Sequence, residues 1–183
     1  MLPDGAEKLG VMDQWKCAPK EGTSLEQITL KHQEIASQFT EPVKNDPPKK
    51  GPMRIMKKGK EEFYYGQLYM KKREGWGKNV FSDKTYYQGE WNNDTPSGWG
   101  LIIYPDGDYF IGQIVNCQGN GYGEYMTLQG DVLKGDWEHH RLHGNGEEKL
   151  ISGSYYKGEY VNGKKTGKGF HIWKNGNSYE GNF

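Results

Sequence analysis

Residues 86–107 read YYQGEWNNDTPSGWGLIIYPDG, and variants of this stretch return every 23 residues along the last two thirds of the chain. Two runs of alternating character flank a polar segment, and Asp106-Gly107 closes the unit. Alternation with a period of two is typical of a β-strand, and Asp-Gly is a strong hairpin-turn signal. The stretch therefore predicts one β-hairpin per repeat, with a turn over residues 92–97.

Two sets of glycines keep the 23-residue step without insertion or deletion. One set lies in the first strand of each unit, and the other lies in the second strand, two residues after a further glycine. A fixed period in this range indicates a repeat array whose units stack on their neighbours. The two sets are Gly66, Gly89, Gly112, Gly135, Gly158 and Gly181, and Gly77, Gly100, Gly123, Gly146 and Gly169.

Aromatic residues are spaced to cover these glycines. Alternation puts Gly89 on the face that carries Tyr87 and Trp91, and a ring from the neighbouring strand fits the slot left by the missing side chain. We expect a ladder of rings that supports the sheet or binds a partner, with members Tyr64, Tyr87, Trp91, Phe110, Trp137, Tyr156, Tyr160 and Tyr179. Between the paired glycines, on the opposite face, Trp76, Trp99 and Tyr122 predict a second strip that buries a helix or a partner.

Composition favours a thin sheet over a closed aliphatic core. The 183 residues are only 33% hydrophobic, yet 14% are aromatic, 27 are glycine and the net charge is zero. Each aromatic ring buries a large area, so a single layer needs few of them. The predicted fold is mainly β, an elongated single-layer antiparallel sheet of tandem hairpins with an N-terminal arm that contains one short α-helix.

The arm, residues 1–42, carries the helix. Ser24 followed by Gln27 indicates a capping box, Pro42 ends the pattern, and the predicted helix spans residues 24–39. It docks either on the sheet of this chain or on a partner. Its apolar stripe at helical spacing comprises Leu25, Ile28, His32, Ile35, Ala36 and Phe39.

Residues 43–60 are rich in proline, glycine and basic residues, and they predict an extended linker before the repeats at 62–183. Seven Lys and Arg residues against one acidic residue, Asp46, give the segment from Lys44 to Lys60 a charge of +6. Such a segment is either a solvated tether or a contact for an acidic partner. The residues assigned to that contact are Lys49, Lys50, Arg54, Lys57, Lys58 and Lys60.

The motifs YYQGEW…GWG, FIGQIV…GYG, LKGDWE…GNG and YKGEYVNGKKTGKGF resemble the MORN repeat (membrane occupation and recognition nexus). The resemblance covers residues 62–183, as five full units and the start of a sixth. Lys84 departs from it at a turn-glycine position, and Leu133 replaces a ring. The resemblance implies a rod-like sheet for interaction, as in radial-spoke-head and other ciliary proteins, membrane-junction proteins and regulatory extensions of lipid kinases.

Catalytic, metal and cofactor sites are not predicted. His139, His140 and His143 cluster at a predicted turn without the spacing of a metal site, and residues 163–169 lack phosphate-loop spacing. We also expect no transmembrane segment and no nucleic-acid binding.

The resulting hypothesis is a non-enzymatic scaffold that binds other proteins of a multi-subunit cytoplasmic assembly. The resemblance points to the ciliary axoneme, with a radial-spoke-like role, or to another cytoskeletal complex. The alternative is a peripheral membrane protein that binds anionic phospholipid through the basic linker and the repeats.

Overall fold

The computed structural model describes residues 33–39, 53–58 and 62–183. Within these ranges the chain has one helix, α1 (33–38), and strands that follow one another along the sequence. The strands are β1 (Met53–Lys58), β2 (Glu62–Tyr69), β3 (Lys72–Val80), β4 (Tyr86–Asn92), β5 (Thr95–Ile103), β6 (Tyr109–Val115), β7 (Gln118–Met126), β8 (Val132–Glu138), β9 (Arg141–Lys149), β10 (Tyr155–Val161), β11 (Lys164–Ile172) and β12 (Ser178–Asn182).

The chain divides into two compact units, which are described separately. The N-unit (residues 17–117) holds α1 and β1–β6, and the C-unit includes residues 118–183 with β7–β12. In each unit every strand pairs antiparallel with the next strand along the chain. The prediction of a mainly β fold built from tandem antiparallel hairpins is therefore confirmed.

Each hairpin turns over two residues, so the predicted turn at residues 92–97 was too long. Asn93 and Asp94 have φ angles of 50° and 69°, and β5 already begins at Thr95. Positive φ at both central residues is the type I′ geometry, whose twist matches that of the flanking strands. The same pair of positive angles returns at Met70 and Lys71, Asn116 and Cys117, His139 and His140, and Asn162 and Gly163.

In the four turns after the first, the second residue is hydrogen-bonded to the hairpin before it. The Asp94 N–H donates to the Arg73 carbonyl at 3.0 Å, and the Cys117 N–H donates to the Pro96 carbonyl at 3.3 Å. In the C-unit, His140 and Gly163 donate in the same way to the carbonyls of Gly119 and Leu142. Each hairpin is thus anchored to its predecessor, as nearest-neighbour stacking of repeats requires.

The turns between hairpins need one residue with positive φ. Glycine supplies it at Gly107, Gly130, Gly153 and Gly176, whereas Lys84 adopts it with φ of 72° in the first of these turns. The Lys84 N–H donates to the Phe81 carbonyl at 2.9 Å, as the Gly107 N–H does to the Tyr104 carbonyl. The turn geometry is therefore kept at a position that strains a side chain.

Replacing Lys84 with glycine is expected to stabilise the chain by about 1 kcal/mol, because glycine adopts this conformation without the steric cost of a β-carbon. Urea unfolding followed by circular dichroism measures the difference. Ser82→Gly, in the same turn, is the control and should not stabilise, since Ser82 is not among the residues with positive φ. A Lys84→Gly chain no more stable than wild type would contradict the prediction.

Residues 53–58 form a strand, so the linker predicted over residues 43–60 is wrong for this part. β1 pairs with β2 in register, with Arg54 opposite Gly66 and Lys57 opposite Phe63. The strand uses backbone groups along the edge of β2, and such pairing overrides a local composition poor in strand formers. Residues 43–52, 59 and 60, including Lys49, Lys50 and Lys60, lie outside the described residues.

The described part of the predicted helix is confirmed as α1, and residues 24–32 lie outside the described residues. Phe39, which follows α1, stacks on Trp76 with ring centroids 5.7 Å apart and planes at 21°. The Phe39 carbonyl accepts a hydrogen bond from Gln88 Nε2 at 2.6 Å. Ile35 and Ala36 pack against the same cluster. The described part of the arm therefore docks on the sheet of its own chain.

Candidate protein-interaction surface

The predicted ladder rings are largely buried. In the N-unit, Tyr64, Tyr87, Trp91 and Phe110 are 1–2% exposed. The Trp91 ring meets the rings of Tyr64 and Tyr87 edge to face, with centroids 5.3 Å and 5.2 Å apart. In the C-unit, Trp137, Tyr156 and Tyr160 are 0–6% exposed, whereas Tyr179 is 44% exposed. Seven of the eight predicted rings are therefore buried against the sheet. They lie on one side of it, which we call the ladder face of each unit.

Ladder tyrosines cover a pair of glycines on adjacent strands. A β-carbon on Gly89 would lie 2.6 Å from both Tyr87 Oη and Gly100 Cα, and one on Gly100 would lie 2.6 Å from the Tyr87 ring. The expected ring from the neighbouring strand is thus found over Gly100. For Gly89 that expectation is wrong, because the covering ring comes from its own strand.

The tyrosine hydroxyl explains why the ring lies along its own strand. Tyr87 Oη donates to the Glu90 carbonyl at 2.6 Å, and Tyr64 Oη donates to the Gln67 carbonyl at 2.7 Å. The strand register shifts at these residues, between Gly89 and Trp91 and between Gly66 and Leu68. Tyr156 and Tyr179 make the same bond three residues ahead. Where the ladder residue is tyrosine, the hydroxyl thereby satisfies a carbonyl near the irregularity. The register shift between Gly135 and Trp137 has no such bond, because Leu133 takes the place of the tyrosine.

At these register shifts, the acidic or amide side chain that follows the glycine of the first strand accepts a hydrogen bond from a backbone N–H of the second strand. Glu90 Oε1 accepts from the Trp99 N–H at 3.3 Å, and Gln67 Oε1 accepts from the Trp76 N–H at 2.8 Å. Asp136 and Glu159 accept the N–H groups of Asn145 and Lys168 in the C-unit. The sequence analysis missed this role, although the 23-residue recurrence of these acceptors was a usable signal.

Arg73 is a further buried residue that the sequence analysis missed. Its guanidinium carbon lies 4.2 Å from the centroid of the Trp91 ring. Its nitrogens lie 3.1 Å from Glu62 Oε1 and 3.2 Å from Asp94 Oδ1. A buried charge is tolerated when it is paired and hydrogen-bonded. Arg73 therefore packs on the rings of the ladder face at the β2–β3 hairpin of the N-unit.

A second, partly buried ion pair lies on the ladder face of the C-unit. Lys165 Nζ lies 3.0 Å from Glu148 Oε1 and 4.7 Å from the centroid of the Tyr156 ring. Burial, and then the charge of Lys165, lower the pKa of His171 from its usual value. The ladder face of this unit therefore also combines rings with a paired charge.

Burial raises the pKa of the ladder tyrosines above the ordinary value of 10.0, as for Tyr64, Tyr87, Tyr156 and Tyr160. On the opposite face, burial raises the pKa of Tyr86 to about 12. In each case the folded chain favours the neutral phenol, which donates a hydrogen bond, over the charged phenolate.

Stability is therefore expected to fall at alkaline pH. Below the unfolded pKa of about 10 the contribution of the neutral tyrosines is fully present, and it is lost as the pH rises through the higher folded values. Urea unfolding at several pH values between about 8 and about 11 should show a steady decrease in the free energy of unfolding above pH 10. Tyr86→Phe should make the decrease shallower, and a free energy that stays constant over this range would contradict the expectation.

The opposite side of the N-unit sheet, which we call the helix face, is partly covered by α1. Leu101 and Ile103 are fully buried there, together with Trp76 and Phe39. Trp99 packs against the same cluster. The second predicted strip is thus found at Trp76 and Trp99, in contact with the arm. Tyr122, its third predicted member, is 49% exposed in the C-unit.

Four neighbouring apolar side chains on the helix face of β1–β3 are exposed, and we call them the open patch. They are Ile55, Phe63, Tyr65 and Val80, with exposed fractions of 78%, 48%, 42% and 36%. Strand pairing places Ile55 opposite Tyr65, and Phe63 opposite Val80. Lys78 Nζ lies 5.6 Å from the centroid of the Tyr65 ring. The open patch is therefore a contiguous apolar surface on β1–β3 with a cation beside it.

The corresponding side of the C-unit is charged. Strand pairing places Glu124, Lys134, Glu147 and Lys157 in one row across four strands. Lys134 Nζ lies 3.5 Å from Glu124 Oε2, and Lys157 Nζ lies 2.7 Å from Glu147 Oε1. A hydrogen bond from Lys157 lowers the pKa of Glu147. Exposed mixed charge of this kind is typical of a solvated surface, which leaves the open patch as the stronger candidate site.

The histidines of the predicted turn have separate hydrogen-bond and ion-pair partners. His140 Nδ1 accepts a hydrogen bond from the Gly119 N–H at 3.1 Å, and His143 Nδ1 lies 3.2 Å from Glu138 Oε2. Over residues 33–39, 53–58 and 62–183, no three His, Cys, Asp or Glu side chains are placed to hold a metal ion. In the same ranges, no helix has the length and apolar character needed to cross a bilayer.

These features define a class of protein in which tandem β-hairpins form open sheets that present extended faces. The family model of the MORN repeat matches residues 87–109, 134–155 and 156–178, which contain the hairpins β4–β5, β8–β9 and β10–β11. The chain thus carries MORN repeats, as the motifs predicted. MORN repeats are generally modules that interact with proteins or membranes.

The other comparisons add less. A search of curated proteins finds no match to this sequence. A solved structure, the TCP domain of SAS-4 (dCPAP) of Drosophila melanogaster in complex with a proline-rich motif of Ana2 (dSTIL), is 10% identical. The match covers 74% of this chain and 90% of that chain with a TM-score of 0.36. A TM-score at this level does not establish a shared fold.

Proposed function

We propose that this chain is a non-enzymatic scaffold that binds another protein of a large assembly. The observation that carries the proposal is the open patch, in which Ile55, Phe63, Tyr65 and Val80 are all more than a third exposed. Contiguous apolar surface on a folded protein marks interaction sites. The paired strands beneath these side chains hold them in place before a partner arrives, which reduces the entropy cost of binding.

Placement in the ciliary axoneme, or in another cytoskeletal complex, is part of the proposal and rests on the resemblance to ciliary MORN-repeat proteins. The buried rings and paired charges of the ladder faces fit a rigid spacer. In such an assembly the sheet would hold partners at set positions, while the open patch would supply a specific contact.

The test combines fractionation with a matched set of variants. Tagged full-length chain is expressed in ciliated cells, and the proteins that co-purify with it are quantified by mass spectrometry. A Tyr65→Gln, Val80→Gln double variant should lose a defined set of partners by about tenfold. Ile151→Gln, which alters an exposed apolar residue of the C-unit, should keep them.

The same cells test the location. After the ciliary membrane is removed with detergent, wild-type chain should remain with the axoneme. Recovery of the chain in the detergent-soluble fraction would contradict an axonemal role. An unchanged partner set in the double variant would contradict binding through the open patch.

A second candidate function is binding to anionic phospholipid. It is favoured by the basic sequence between Lys44 and Lys60, with seven basic residues and one acidic residue. Each basic residue near an anionic membrane contributes about 1 kcal/mol. Flotation with phosphoinositide-containing vesicles at low salt tests it, and a chain that stays at the bottom of the gradient eliminates this function.

A further inference from the structure

We propose that the open patch binds an amphipathic helix of a partner protein, with acidic residues flanking the apolar stripe of that helix. This inference rests on the proposed scaffold function and specifies the kind of partner. It follows from three properties of the N-unit: the repeat equivalence of its residues, the seat of α1, and the charge beside the patch.

The open patch repeats, one unit earlier, the surface on which α1 sits. Val80 and Ile103 occupy equivalent positions 23 residues apart, and so do Phe63 and Tyr86. Ile103 is fully buried in the cluster that α1 covers, and Tyr86 packs against that cluster. Val80, in contrast, is 36% exposed. One unit earlier, Lys78 stands at the position of Leu101, and Tyr65 stands at that of Gln88. The two surfaces therefore share apolar residues at two equivalent pairs of positions, which pack in the cluster in one repeat and are exposed in the repeat before it.

Strand pairing makes the two surfaces continuous. Val80 lies opposite Tyr86, which in turn lies opposite Ile103. A row of apolar residues thus runs from Phe63 through Val80 and Tyr86 to Ile103 without a break. Because residues that are opposite one another in a sheet share a face, a ligand on the open patch would continue the interface that α1 has with this sheet.

The way in which α1 packs on the sheet indicates that the ligand is a helix. Ile35, Ala36 and Phe39 follow helical spacing and present one apolar stripe to the cluster around Trp76 and Leu101. A helix docked through residues at i, i+3 or i+4 and i+7 satisfies its own backbone, so it needs only apolar contact from the sheet. An extended strand would instead need the backbone groups of a sheet edge, and the open patch is a face.

The charge near the patch favours acidic flanks. Lys78 lies within the patch, with its ammonium 5.6 Å from the centroid of the Tyr65 ring. Acidic residues beside the apolar stripe of a partner helix would complement this charge and raise the association rate.

Two synthetic peptides of about 18 residues test the inference, since shorter helices are marginal in water. One has a leucine stripe flanked by glutamates, and the other has the same stripe with lysine in place of every glutamate. Each carries a fluorophore, and binding to the full chain is measured by anisotropy. The glutamate peptide should bind about tenfold more tightly than the lysine peptide.

Paired variants separate apolar contact from charge. Tyr65→Gln should weaken the glutamate peptide by about tenfold, and Lys78→Glu should weaken it while strengthening the lysine peptide. Ile151→Gln and Lys174→Glu, which alter exposed C-unit residues, are the controls and should change neither affinity. Equal binding of both peptides, or full binding by Tyr65→Gln, would overturn the inference.

Binding to vesicles of phosphatidylcholine and phosphatidylserine is measured as a second experiment. If the open-patch variants lose vesicle binding while neither peptide binds, the occupant is a membrane and the inference is wrong. If the glutamate peptide fails to bind but open-patch variants still lose native partners, the scaffold function stands and only the helix inference fails. Failure of the peptide together with an unchanged partner set rejects both.

Discussion

Replacing Gly89 with valine is expected to destabilise the chain by about 3 kcal/mol or more and to lower its melting temperature by roughly 10 °C. The β-carbon would lie 2.6 Å from Gly100 Cα and 2.7 Å from the Trp99 carbonyl oxygen. Both are backbone atoms of the paired strand, so the two strands must separate to admit the side chain. Thermal unfolding followed by circular dichroism measures the loss.

A matched pair of alanine variants isolates the steric effect. Gly176 has positive φ, and a β-carbon there would meet nothing within 4 Å, so Gly176→Ala should cost only the conformational strain of about 1 kcal/mol. Gly89→Ala should cost clearly more, because its β-carbon meets both backbone and Tyr87 Oη. Equal losses in the two variants would show that close strand approach is not what requires glycine at position 89.

Tyr87→Ala is expected to cost about 3–5 kcal/mol, the range for removing a large buried ring. The ring is 1% exposed and contacts Trp91 edge to face. Its removal opens a cavity over Gly89 and Gly100. Urea unfolding gives the free energy, and Tyr122→Ala is the control because that ring is 49% exposed.

Tyr87→Phe measures the contribution of the hydroxyl to stability separately from that of the ring. It keeps the cover over the glycines but leaves the Glu90 carbonyl without the hydrogen bond from Tyr87 Oη, which should cost about 1–2 kcal/mol. If Tyr87→Phe were as unstable as Tyr87→Ala, the hydroxyl rather than the ring would hold the hairpin. If Tyr87→Ala cost no more than Tyr122→Ala, the ladder would not be the main support of the sheet.

Local sequence signals were sufficient to predict the hairpins but not the length of their turns. Strict recurrence predicted the strands of the repeats, their turns and a ladder of rings that includes Tyr64, Tyr87 and Tyr156. The length of the hairpin turn was misjudged because Pro96 and Ser97 have turn-like composition, whereas the type I′ pair at Asn93 and Asp94 needs only two residues.

The candidate site was harder to predict than the fold. Tyr65 and Val80 are ordinary strand residues by sequence, and the described part of the arm packs on the cluster around Trp76 and Leu101, which does not include them. β1 was concealed by neighbouring prolines and basic residues, since strand pairing with β2 depends on backbone groups. Arg73 has a basic equivalent only at Lys165, four repeats later, and Pro96, Gly119 and Leu142 at the positions between them hide this relation.

The sequence by itself determined the repeated hairpin, because glycine spacing and alternation act between residues that are close along the chain or one repeat apart. Tertiary structure alone decided which strand supplies the ring over each glycine, that residues 53–58 join the sheet, and which part of the helix face stays open. The first two outcomes depend on hydrogen bonds with the backbone, from Tyr87 Oη to the Glu90 carbonyl and between β1 and β2. The third depends on packing between segments far apart in sequence, such as Phe39 on Trp76 and Gln88. Local pattern carries no information about such contacts, since their energy exists only once the sheet has formed.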